Sequence, residues 1–183
     1  MTEKAALRKK ILEKTAQLSD QYRLEAGREI AGLVLSTDEW RKSSGVMLYM
    51  STLTEPDTSA LISAAGSGKK EIFLPRCLPG YMLEAVPFHP GDTLKAGPYG
   101  IPEPCGAVGT KVPDLIVVPC VCATPEGKRL GHGAGYYDRF LSESRAFKMC
   151  LCFEALLLSD LPVNETDVRM DMVVTEERLI RCR

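Results

Sequence analysis

The 183-residue sequence predicts an α/β fold in three layers, with a mostly parallel sheet that carries helices on both faces. Two short runs, VMLYM at 46–50 and DLIVV at 114–118, are apolar without interruption, as strands buried on both faces are. Segments with helical spacing alternate with such runs, and this alternation is typical of a parallel sheet covered by helices. The length and the lack of internal repeats predict one domain over residues 1–183.

The first forty residues have the spacing of helices. Leu7, Ile11 and Leu18 recur at intervals of four and seven residues and therefore lie close to one side of a first helix. Ser19 is placed to cap a second helix, whose apolar residues recur at helical spacing up to Leu33. Two consecutive helices are thus expected before the first strand.

Shorter elements follow the first strand. A polar turn leads to a helix predicted over 58–65, with Pro56 in position to begin it and glycines at 66 and 68 to end it. The next strand is expected over 71–74, where Pro75 ends the run. The remaining predictions are a strand over 81–88, a long irregular stretch over 90–104, a helix over 136–144, and strands over 148–153 and 172–175.

The charge balance excludes some classes of protein. Lys and Arg number 23 and Asp and Glu number 24, so the net charge is −1, which excludes a strongly basic nucleic-acid coat and a polyacidic tail. No apolar run approaches the roughly 20 residues that span a bilayer. The N-terminal sequence lacks the apolar core and the cleavage site of a signal peptide. We therefore expect a cytoplasmic protein that binds neither nucleic acid nor a membrane.

The seven cysteines favour a reducing compartment. Their number is odd, and four of them form the pairs Cys120 with Cys122 and Cys150 with Cys152 inside strand-like runs. A structural zinc site needs four ligands at characteristic spacing, whereas this chain has two histidines and no Cys-x-x-Cys. Buried reduced thiols are thus favoured over a zinc site or a disulfide framework.

The stretch 114–141 contains the clearest chemical signal. After a strand, Arg129 precedes glycines at alternate positions, 131, 133 and 135, and a helix that begins with two tyrosines and Asp138. Alternate glycines allow positive φ angles and a close approach of a ligand to the backbone. Backbone N–H groups that lead into a helix N-terminus bind anions, most often phosphate, and Arg129 would add a charge-assisted contact. Asp138 would suit a magnesium ion, which prefers carboxylates, water and phosphate oxygens.

A tight loop without a ligand is the alternative explanation for these glycines. The run is not a dinucleotide-binding fingerprint, because it does not follow its strand directly and its spacing differs. The segment GSGKK at 66–70 is not a Walker A loop, since residue 63 is Ser and residue 70 is Lys. The two tyrosines alone would indicate half-buried packing.

Beyond these residues, the sequence resembles the 5-formyltetrahydrofolate cyclo-ligase family, also called 5,10-methenyltetrahydrofolate synthetases. Residues 127–139 (GKRLGHGAGYYDR) are similar to the long family signature G-x-R-L-G-x-G-x-G-Y-Y-D-R. Residues 4–8 resemble the family's N-terminal Lys-x-x-x-Arg, and 49–58 resemble its Y-x-S-x-x-x-E-x-D-T segment. Residues 100–104 match its G-I-x-E-P loop, and 171–176 match its closing D-x-V-V-T-E. The resemblance extends over nearly the whole chain and implies a Rossmann-like layered sheet, similar to isomerase and CoA-transferase-like folds.

Two positions depart from the family pattern. His132 stands where the family usually has Tyr, Arg or Lys, which leaves the contact of that side chain open. Pro56 stands where the family often has Val or Ile, with Glu55 and Asp57 retained on either side. The second change is expected to have little effect.

The resemblance implies an enzyme that uses ATP and magnesium to convert 5-formyltetrahydrofolate to 5,10-methenyltetrahydrofolate, with release of ADP and phosphate. The formyl group on nitrogen 5 is an amide, so it is a poor electrophile and its oxygen is a poor leaving group. Phosphorylation of that oxygen would give an iminium phosphate, which nitrogen 10 attacks as phosphate leaves. Positioning and electrostatics dominate catalysis of this kind. ATP and 5-formyltetrahydrofolate are the expected partners of a monomer.

The resemblance also implies roles for individual residues. Lys4, Arg8 and Arg129 would be catalytic, through contacts with the ATP phosphates and, for Arg8, with the formyl group. Asp138 and Asp171 would hold magnesium, directly or through water. The ATP-binding residues would be Lys4, Ala5, Ala6, Leu7, Arg8, Arg129, Leu130, Gly131, His132, Gly133, Ala134, Gly135, Tyr136 and Tyr137. The substrate-binding residues would be Arg8, Met50, Glu55, His132, Gly133, Ala134, Gly135 and Tyr136.

Simpler explanations exist for these residues when each is taken alone. Lys4 and Arg8 would form a solvated helix face, and Asp138 would cap a helix. Two other functions stay open: a non-catalytic relative that binds a nucleotide or a folate, and a sugar-phosphate isomerase or acyl-CoA transferase with a similar sheet. Loss of the charged residues would favour the non-catalytic relative, but Lys4, Arg129, Asp138 and Asp171 are all present.

Overall fold

A computed structural model describes residues 2–182 of the chain. In this range the α-helices are α1 (Glu3–Ala16), α2 (Asp20–Ser36), α3 (Asp38–Lys42), α4 (Ser59–Ser67) and α5 (Tyr136–Glu143). The strands are β1 (Gly45–Met47), β2 (Glu71–Leu78), β3 (Met82–Phe88), β4 (Leu94–Ala96), β5 (Pro102–Pro104), β6 (Leu115–Val118), β7 (Cys122–Ala123), β8 (Arg129–Leu130), β9 (Phe147–Leu151), β10 (Met172–Val174) and β11 (Leu179–Arg181). Met1 and Arg183, the ends of the domain predicted over 1–183, lie outside the described residues.

The central sheet has seven strands in the order β11-β10-β9-β6-β1-β2-β3. The inner strands are parallel to one another, while β11 and β3 run antiparallel at the edges. The chain passes from β1 to β2 in one direction along the sheet and from β6 to β9 in the other. Right-handed crossovers in opposite directions place their helices on opposite faces, so α4 and α5 cover opposite faces. The predicted three-layer α/β fold is confirmed.

Apolar side chains on both faces of the central strands form the core. Residues 46–49 of the β1 segment and 115–118 of β6 are each no more than 3% exposed. From α2, Ile30 and Val34 pack into the same core and are fully buried. This helix begins as predicted, because the Ser19 hydroxyl accepts a hydrogen bond from the backbone N–H of Tyr22 (3.1 Å).

Two strands differ from their predicted bounds by three or more residues at one end, and the others differ by one or two. β1 ends at Met47 rather than at residue 50, and the Leu48 N–H still donates to the Phe73 carbonyl (2.9 Å) before the chain leaves the sheet. β2 continues through Pro75 to Leu78 because β3 pairs with nearly its whole length. Pro75 lies beyond the part of β2 that pairs with β1, so its missing N–H removes no bond to that neighbour.

Five short strands were not predicted from the sequence. The stretch 90–104, predicted as irregular, contains the antiparallel pair β4–β5. The stretch between β6 and α5 contains the antiparallel pair β7–β8, and β11 closes one edge of the sheet. Each of these strands has two or three residues, too few for an alternating pattern to show. The helix predicted over 58–65 is displaced by one residue at its start, where the Asp57 carboxylate accepts from the Ser59 N–H (3.0 Å), and it continues past Gly66.

The cysteines of the two Cys-x-Cys pairs are free and buried near the carboxyl ends of β6 and β9. Burial raises the pKa of the Cys122 thiol to about 12, so this sulfur stays protonated and unreactive at neutral pH. Across residues 2–182, none of the helices has the length and apolar character needed to cross a membrane.

Candidate active site

The candidate site lies at the carboxyl ends of the parallel strands, between β1 and β6. These neighbouring strands lead in opposite directions, to β2 and to β9, so the loops that follow them diverge and leave a crevice. The loop after β1 carries Met50 and Glu55, and the chain after β6 forms the β7–β8 pair and then the glycine loop, residues 131–135. The topology thus brings segments that are distant in sequence to one place.

Hydrogen bonds fix the loop that carries Glu55. The Tyr49 hydroxyl donates to the Pro56 carbonyl (2.9 Å), and the Thr58 hydroxyl donates back to the Tyr49 carbonyl (2.5 Å). The backbone N–H and the hydroxyl of Thr52 both donate to Glu55 Oε2, at 2.9 and 2.8 Å. A carboxylate held in this way keeps one oxygen oriented for another partner.

The second oxygen of Glu55 faces the glycine loop. His132 Nε2 lies 3.4 Å from Glu55 Oε1, and the Glu55 side chain is 5% exposed. Burial alone would raise the pKa of the Glu55 carboxyl, but hydrogen bonds from His132 and Thr52 outweigh burial and hold the pKa below its ordinary value. The carboxylate is therefore ionised at neutral pH, and any stability it adds is lost only as the pH falls through this lowered pKa.

Arg129 is the most deeply buried cation of the site. Its side chain is 4% exposed, its Nη2 donates to Asp138 Oδ1 (2.8 Å), and its Nη1 donates to the Pro119 carbonyl (3.4 Å). Its Nε and the hydroxyl of Tyr137 are buried and have no hydrogen-bond partner in the described range 2–182. Unpaired buried donors are rare in native proteins. An anion that reached either donor would satisfy it.

Arg8 crosses from α1 to the glycine loop. Its Nε donates to the Gly131 carbonyl (2.7 Å). At Gly133, where φ is +105°, a Cβ atom would lie 3.0 Å from the guanidinium carbon of Arg8. Glycine is therefore required at this position by both the backbone conformation and the close approach of Arg8. Arg8 and Arg129 place two guanidinium groups against one loop, as expected for a polyanion site.

Lys4 binds a carboxylate that the sequence analysis did not select. Its ammonium group pairs with Asp167 Oδ2, and both side chains are less than one fifth exposed. The next residue, Val168, donates its N–H to Asp138 Oδ1 (3.3 Å). Asp167 therefore lies beside Asp138 and Lys4. It precedes β10 by only a few residues, but an isolated acidic residue in a loop gave no pattern from which to predict this position.

Asp171 is not brought to this cluster, which corrects the pairing of Asp138 with Asp171. Its Oδ2 accepts from the Lys148 N–H (2.7 Å), and its own N–H donates to the Lys148 carbonyl (2.9 Å). These bonds place Asp171 at the amino ends of β9 and β10, since both strands run away from it. Asp138 lies at the carboxyl ends of the strands, because it accepts from Arg129, and Arg129 also donates to the carbonyl of Pro119, the residue just after β6. The side chain of Asp171 thus joins two strand starts and lies away from the crevice.

The remaining predicted residues divide between the site and the core. Met50 and Tyr136 are half-buried at the crevice, and Tyr137 lies 5.9 Å from the Arg129 guanidinium, measured to the ring centroid. Leu130 is 2% exposed and packs in the core, so only its backbone is available to a ligand. In α1, Leu7 packs against the core, and Ala5 and Ala6 occupy the turn between Lys4 and Arg8.

A tyrosine cluster that the sequence analysis missed borders the crevice. Tyr136 packs edge to face against Tyr81 (5.7 Å between centroids) and Tyr99 (6.0 Å). Tyr81 and Tyr99 are each more than half exposed and come from the β2–β3 turn and the β4–β5 turn. Two turns and the start of α5 therefore supply one aromatic surface, and nothing in the local sequence around Tyr81 or Tyr99 predicts that they meet.

The arrangement can bind a polyanion next to a flat polar ring. Arg8, Arg129 and the backbone of residues 131–135 surround the anion position, while the Glu55 carboxylate and the tyrosine cluster offer a hydrogen-bond acceptor and aromatic walls. Within residues 2–182 there is no cluster of three or more His, Cys, Asp or Glu side chains that would hold a metal ion by itself. Any metal here would need oxygens from a ligand as well.

Comparisons with known proteins lead to one family. The sequence profile of the 5-formyltetrahydrofolate cyclo-ligase family matches residues 1–176. A probable 5-formyltetrahydrofolate cyclo-ligase of Schizosaccharomyces pombe is 33% identical over 168 residues, which are 81% of this chain and 82% of the relative. A probable 5-formyltetrahydrofolate cyclo-ligase of Caenorhabditis elegans is 32% identical over 94% of this chain and 90% of its own length.

Solved structures lead to the same family. The NMR structure of the Aquifex aeolicus 5,10-methenyltetrahydrofolate synthetase is 33% identical, has a TM-score of 0.88, and is matched over all of this chain and 94% of its own. A Mycoplasma pneumoniae 5,10-methenyltetrahydrofolate synthetase, 21% identical with a TM-score of 0.73, supports the fold over 96% of this chain and 99% of its own. The chain belongs to the 5-formyltetrahydrofolate cyclo-ligase family and is an enzyme of the ligase class.

Proposed function

We propose that this enzyme converts 5-formyltetrahydrofolate to 5,10-methenyltetrahydrofolate with MgATP and releases ADP and phosphate. The formyl oxygen attacks the γ-phosphorus of ATP, and ADP leaves. Nitrogen 10 then attacks the formyl carbon of the iminium phosphate and forms the new C–N bond, its proton passes to the departing phosphate or to water, and the C–O bond breaks as phosphate leaves. The observation that carries the proposal is the convergence of Arg8 and Arg129 on one glycine loop that also faces Glu55. Such a site can hold the phosphates and the folate side by side.

The residues have separable tasks in this proposal. Arg129 is buried, its Nε has no hydrogen-bond partner within the part of the chain that the structure describes, and it stabilises the negative charge that spreads over the transferred phosphoryl group. Arg8 contacts the loop between the phosphates and the formyl group and aligns the formyl oxygen. Lys4, paired with Asp167 in the structure, contributes charge to the outer phosphates from the first turn of α1. Glu55 accepts hydrogen bonds from the N–H groups of the pterin ring.

Magnesium fits this site through Asp138 and Asp167. The hydrogen bonds to Asp138 reach Oδ1, and those to Asp167 reach Oδ2, so within residues 2–182 one oxygen of each carboxylate is available to a cation. Magnesium is commonly held by one or two carboxylates together with phosphate oxygens and water. A bound magnesium ion would neutralise charge on the phosphates. We therefore propose Asp138 and Asp167, in place of Asp138 and Asp171, as the carboxylates that hold it.

Product formation is the direct test. Purified enzyme mixed with 5-formyltetrahydrofolate and MgATP is expected to generate the near-ultraviolet absorbance of 5,10-methenyltetrahydrofolate, together with one ADP for each folate converted. Omission of ATP or chelation of magnesium should abolish the signal. Binding of folate and ATP without any product would show that the chain is a non-catalytic relative.

Replacing Glu55 with Gln is expected to weaken folate binding. The change keeps the size of the side chain and the contacts with Thr52 but removes the charge that receives the pterin N–H groups. Loss of a hydrogen bond to a charged group predicts about a tenfold increase in the Kd for 5-formyltetrahydrofolate. The Kd for ATP should change less than about twofold, since Glu55 lies on the folate side of the loop. Calorimetric titration measures both constants.

Glu39→Gln is a matched control for this prediction. Glu39 lies on α3, where it pairs with Arg181 (2.7 Å) outside the crevice. Its neutralisation should leave both binding constants unchanged. Equal losses of folate and ATP affinity in Glu55→Gln would contradict a folate-specific role for Glu55.

A further inference from the structure

His132 covers the carboxylate that the proposed function assigns to the pterin. Its Nε2 lies 3.4 Å from Glu55 Oε1, while Thr52 occupies Oε2 with two donors. Within residues 2–182 no other side chain forms a hydrogen bond with Oε1. The Glu55 side chain is 5% exposed, whereas the His132 side chain is 51% exposed. A ligand therefore reaches Oε1 when the imidazole moves aside, and the imidazole has open space for this movement.

Two fixed cations flank the imidazole on the glycine loop. A Cβ atom at Gly131 would lie 2.8 Å from Arg129 Nη1, and one at Gly133 would lie 3.0 Å from the guanidinium carbon of Arg8. His132, between these glycines, therefore has a carboxylate on one side and two guanidinium groups beside its own backbone. A positive charge on the imidazole is favoured next to the carboxylate and disfavoured next to the guanidinium groups.

The other ionisable groups around this contact keep one charge state near neutral pH. These side chains are Glu55 and Tyr49 from the β1 segment and its loop, Tyr137 from α5, Arg8 from α1 and Arg129 from β8. Burial opposes ionisation of Glu55, but hydrogen bonds from His132 and Thr52 hold its pKa below the ordinary value. Burial raises the pKa of both tyrosine hydroxyls, and guanidinium groups stay charged. The imidazole is therefore the group here whose charge changes between about pH 5 and 8.

We propose that His132 is a proton-dependent cover on Glu55, which the folate displaces when its pterin binds to Oε1. An imidazolium holds a carboxylate more tightly than a neutral imidazole does, so the cover is harder to displace at low pH. After displacement the imidazole remains beside two guanidinium groups, and its proton passes to the solvent. The inference rests on the proposed function for the identity of the ligand and for the role of Glu55. His132 is a positioning residue in it, since it acts through Glu55.

The identity of residue 132 gives this chain a response to pH that the residues usual in the family would not give. Tyr is neutral near neutral pH, and Arg and Lys are charged, so none of the three changes its charge there. Histidine at this position changes its charge within the same range. The contact that the sequence left open is thus assigned to Glu55, and its strength depends on pH.

Calorimetric titration with 5-formyltetrahydrofolate in the absence of ATP tests the inference. The Kd at about pH 6 is expected to be about fivefold higher than at about pH 8, the size of effect of an ion pair with one half-exposed partner. Since the complex holds the proton less tightly than the free enzyme, protons leave on binding and affinity falls as the pH falls. Titrations in two phosphate-free buffers with different heats of ionisation should show release of a fraction of a proton for each folate bound.

Two variants of His132 separate its charge from its hydrogen bond. His132→Gln keeps a neutral donor that does not titrate, so the Kd should be the same at both pH values and no proton should be released. His132→Arg is charged at both pH values, so its Kd should not depend on pH and should be at least as high as that of the unmodified enzyme at the lower pH.

His89→Gln is the matched control, since the chain has two histidines. His89 lies 3.5 Å from Asp92 and directly follows β3, whose end pairs with the start of β2. It therefore lies at the amino ends of the parallel strands, opposite the crevice. This variant should keep both the pH dependence and the proton release of the unmodified enzyme.

The inference is wrong if the unmodified enzyme binds folate equally at the two pH values, or if the pH dependence survives in His132→Gln. Uptake of a proton with tighter binding at low pH would show that the imidazolium attracts the folate, and would also overturn the cover. Proton release that depends on His132, in an enzyme that forms no methenyl product, would support the cover and overturn the proposed reaction. Product formation with folate binding that releases no proton would do the reverse.

Discussion

Arg129→Ala is expected to lower kcat/KM for ATP by about 10²-fold or more, the cost of removing one preorganised donor from a transition state that gains charge. The side chain is 4% exposed, and its Nε has no hydrogen-bond partner among residues 2–182. Its charge is therefore poorly screened by water and acts strongly on a phosphoryl group in the glycine loop. The effect should fall mainly on kcat, since the charge on the phosphoryl oxygens develops during transfer.

Stability must be separated from catalysis in this variant. Arg129 pairs with Asp138, and removal of one partner from a largely buried ion pair destabilises the fold, here by about 1–3 kcal/mol because Asp138 is partly exposed and keeps the Val168 N–H. Arg129→Lys is the matched variant: it retains the charge but loses the planar fork and the packing on Tyr137. We expect Arg129→Lys to melt near the unmodified enzyme and to be about tenfold slower. Unchanged kcat/KM for ATP in a folded Arg129→Ala enzyme would refute the role of Arg129.

The fold was predictable because its central strands have unbroken apolar sequences. Residues 46–49 and 115–118 are buried on both faces, so an unbroken apolar sequence is required there, and helical spacing between such runs leaves few topologies. The β7–β8 pair was not predictable, since its strands have two residues each and exist through their pairing with one another. The continuation of β2 through Pro75 was not predicted for a similar reason. A proline in the sequence usually indicates the end of a strand, and here the strand continues only because β3 pairs with it.

The candidate site was predicted in part, where its chemistry is local in sequence. Arg129, the alternate glycines and Asp138 lie within ten residues of one another, and their spacing alone indicated an anion loop. Asp167 was missed because its significance arises from contacts: it pairs with Lys4, 163 positions away, and its neighbour Val168 donates to Asp138. Asp171 was chosen in its place because it begins a recognisable run of residues, although that carboxylate only joins the starts of two strands.

Asp138 and Asp167 are expected to share one magnesium ion, and this prediction separates them from Asp171. Asp138→Asn keeps the size of the side chain and an oxygen that accepts from Arg129 and from the Val168 N–H, so the protein should remain folded. Because the charge is lost, the magnesium concentration for half-maximal activity should rise about tenfold or more. Loss of a hydrogen-bond partner of a metal ligand already weakens metal binding by about that factor, and loss of the ligand's own charge should weaken it at least as much. Asp167→Asn should cause a similar increase, measured by magnesium titration at saturating ATP and folate.

The double variant and the Asp171 variant decide the assignment. Removal of both Asp138 and Asp167 charges should add little to the worse single change, since two carboxylates on one ion act as a unit. Asp171→Asn is expected to lower the Tm, because a charged acceptor for the Lys148 N–H becomes a neutral one, while the magnesium requirement stays the same. A raised magnesium requirement in Asp171→Asn, with Asp167→Asn unchanged, would restore the pairing of Asp138 with Asp171. That result would require the segment that carries Asp171 to leave the amino ends of β9 and β10 when MgATP binds, which breaks its two hydrogen bonds with Lys148.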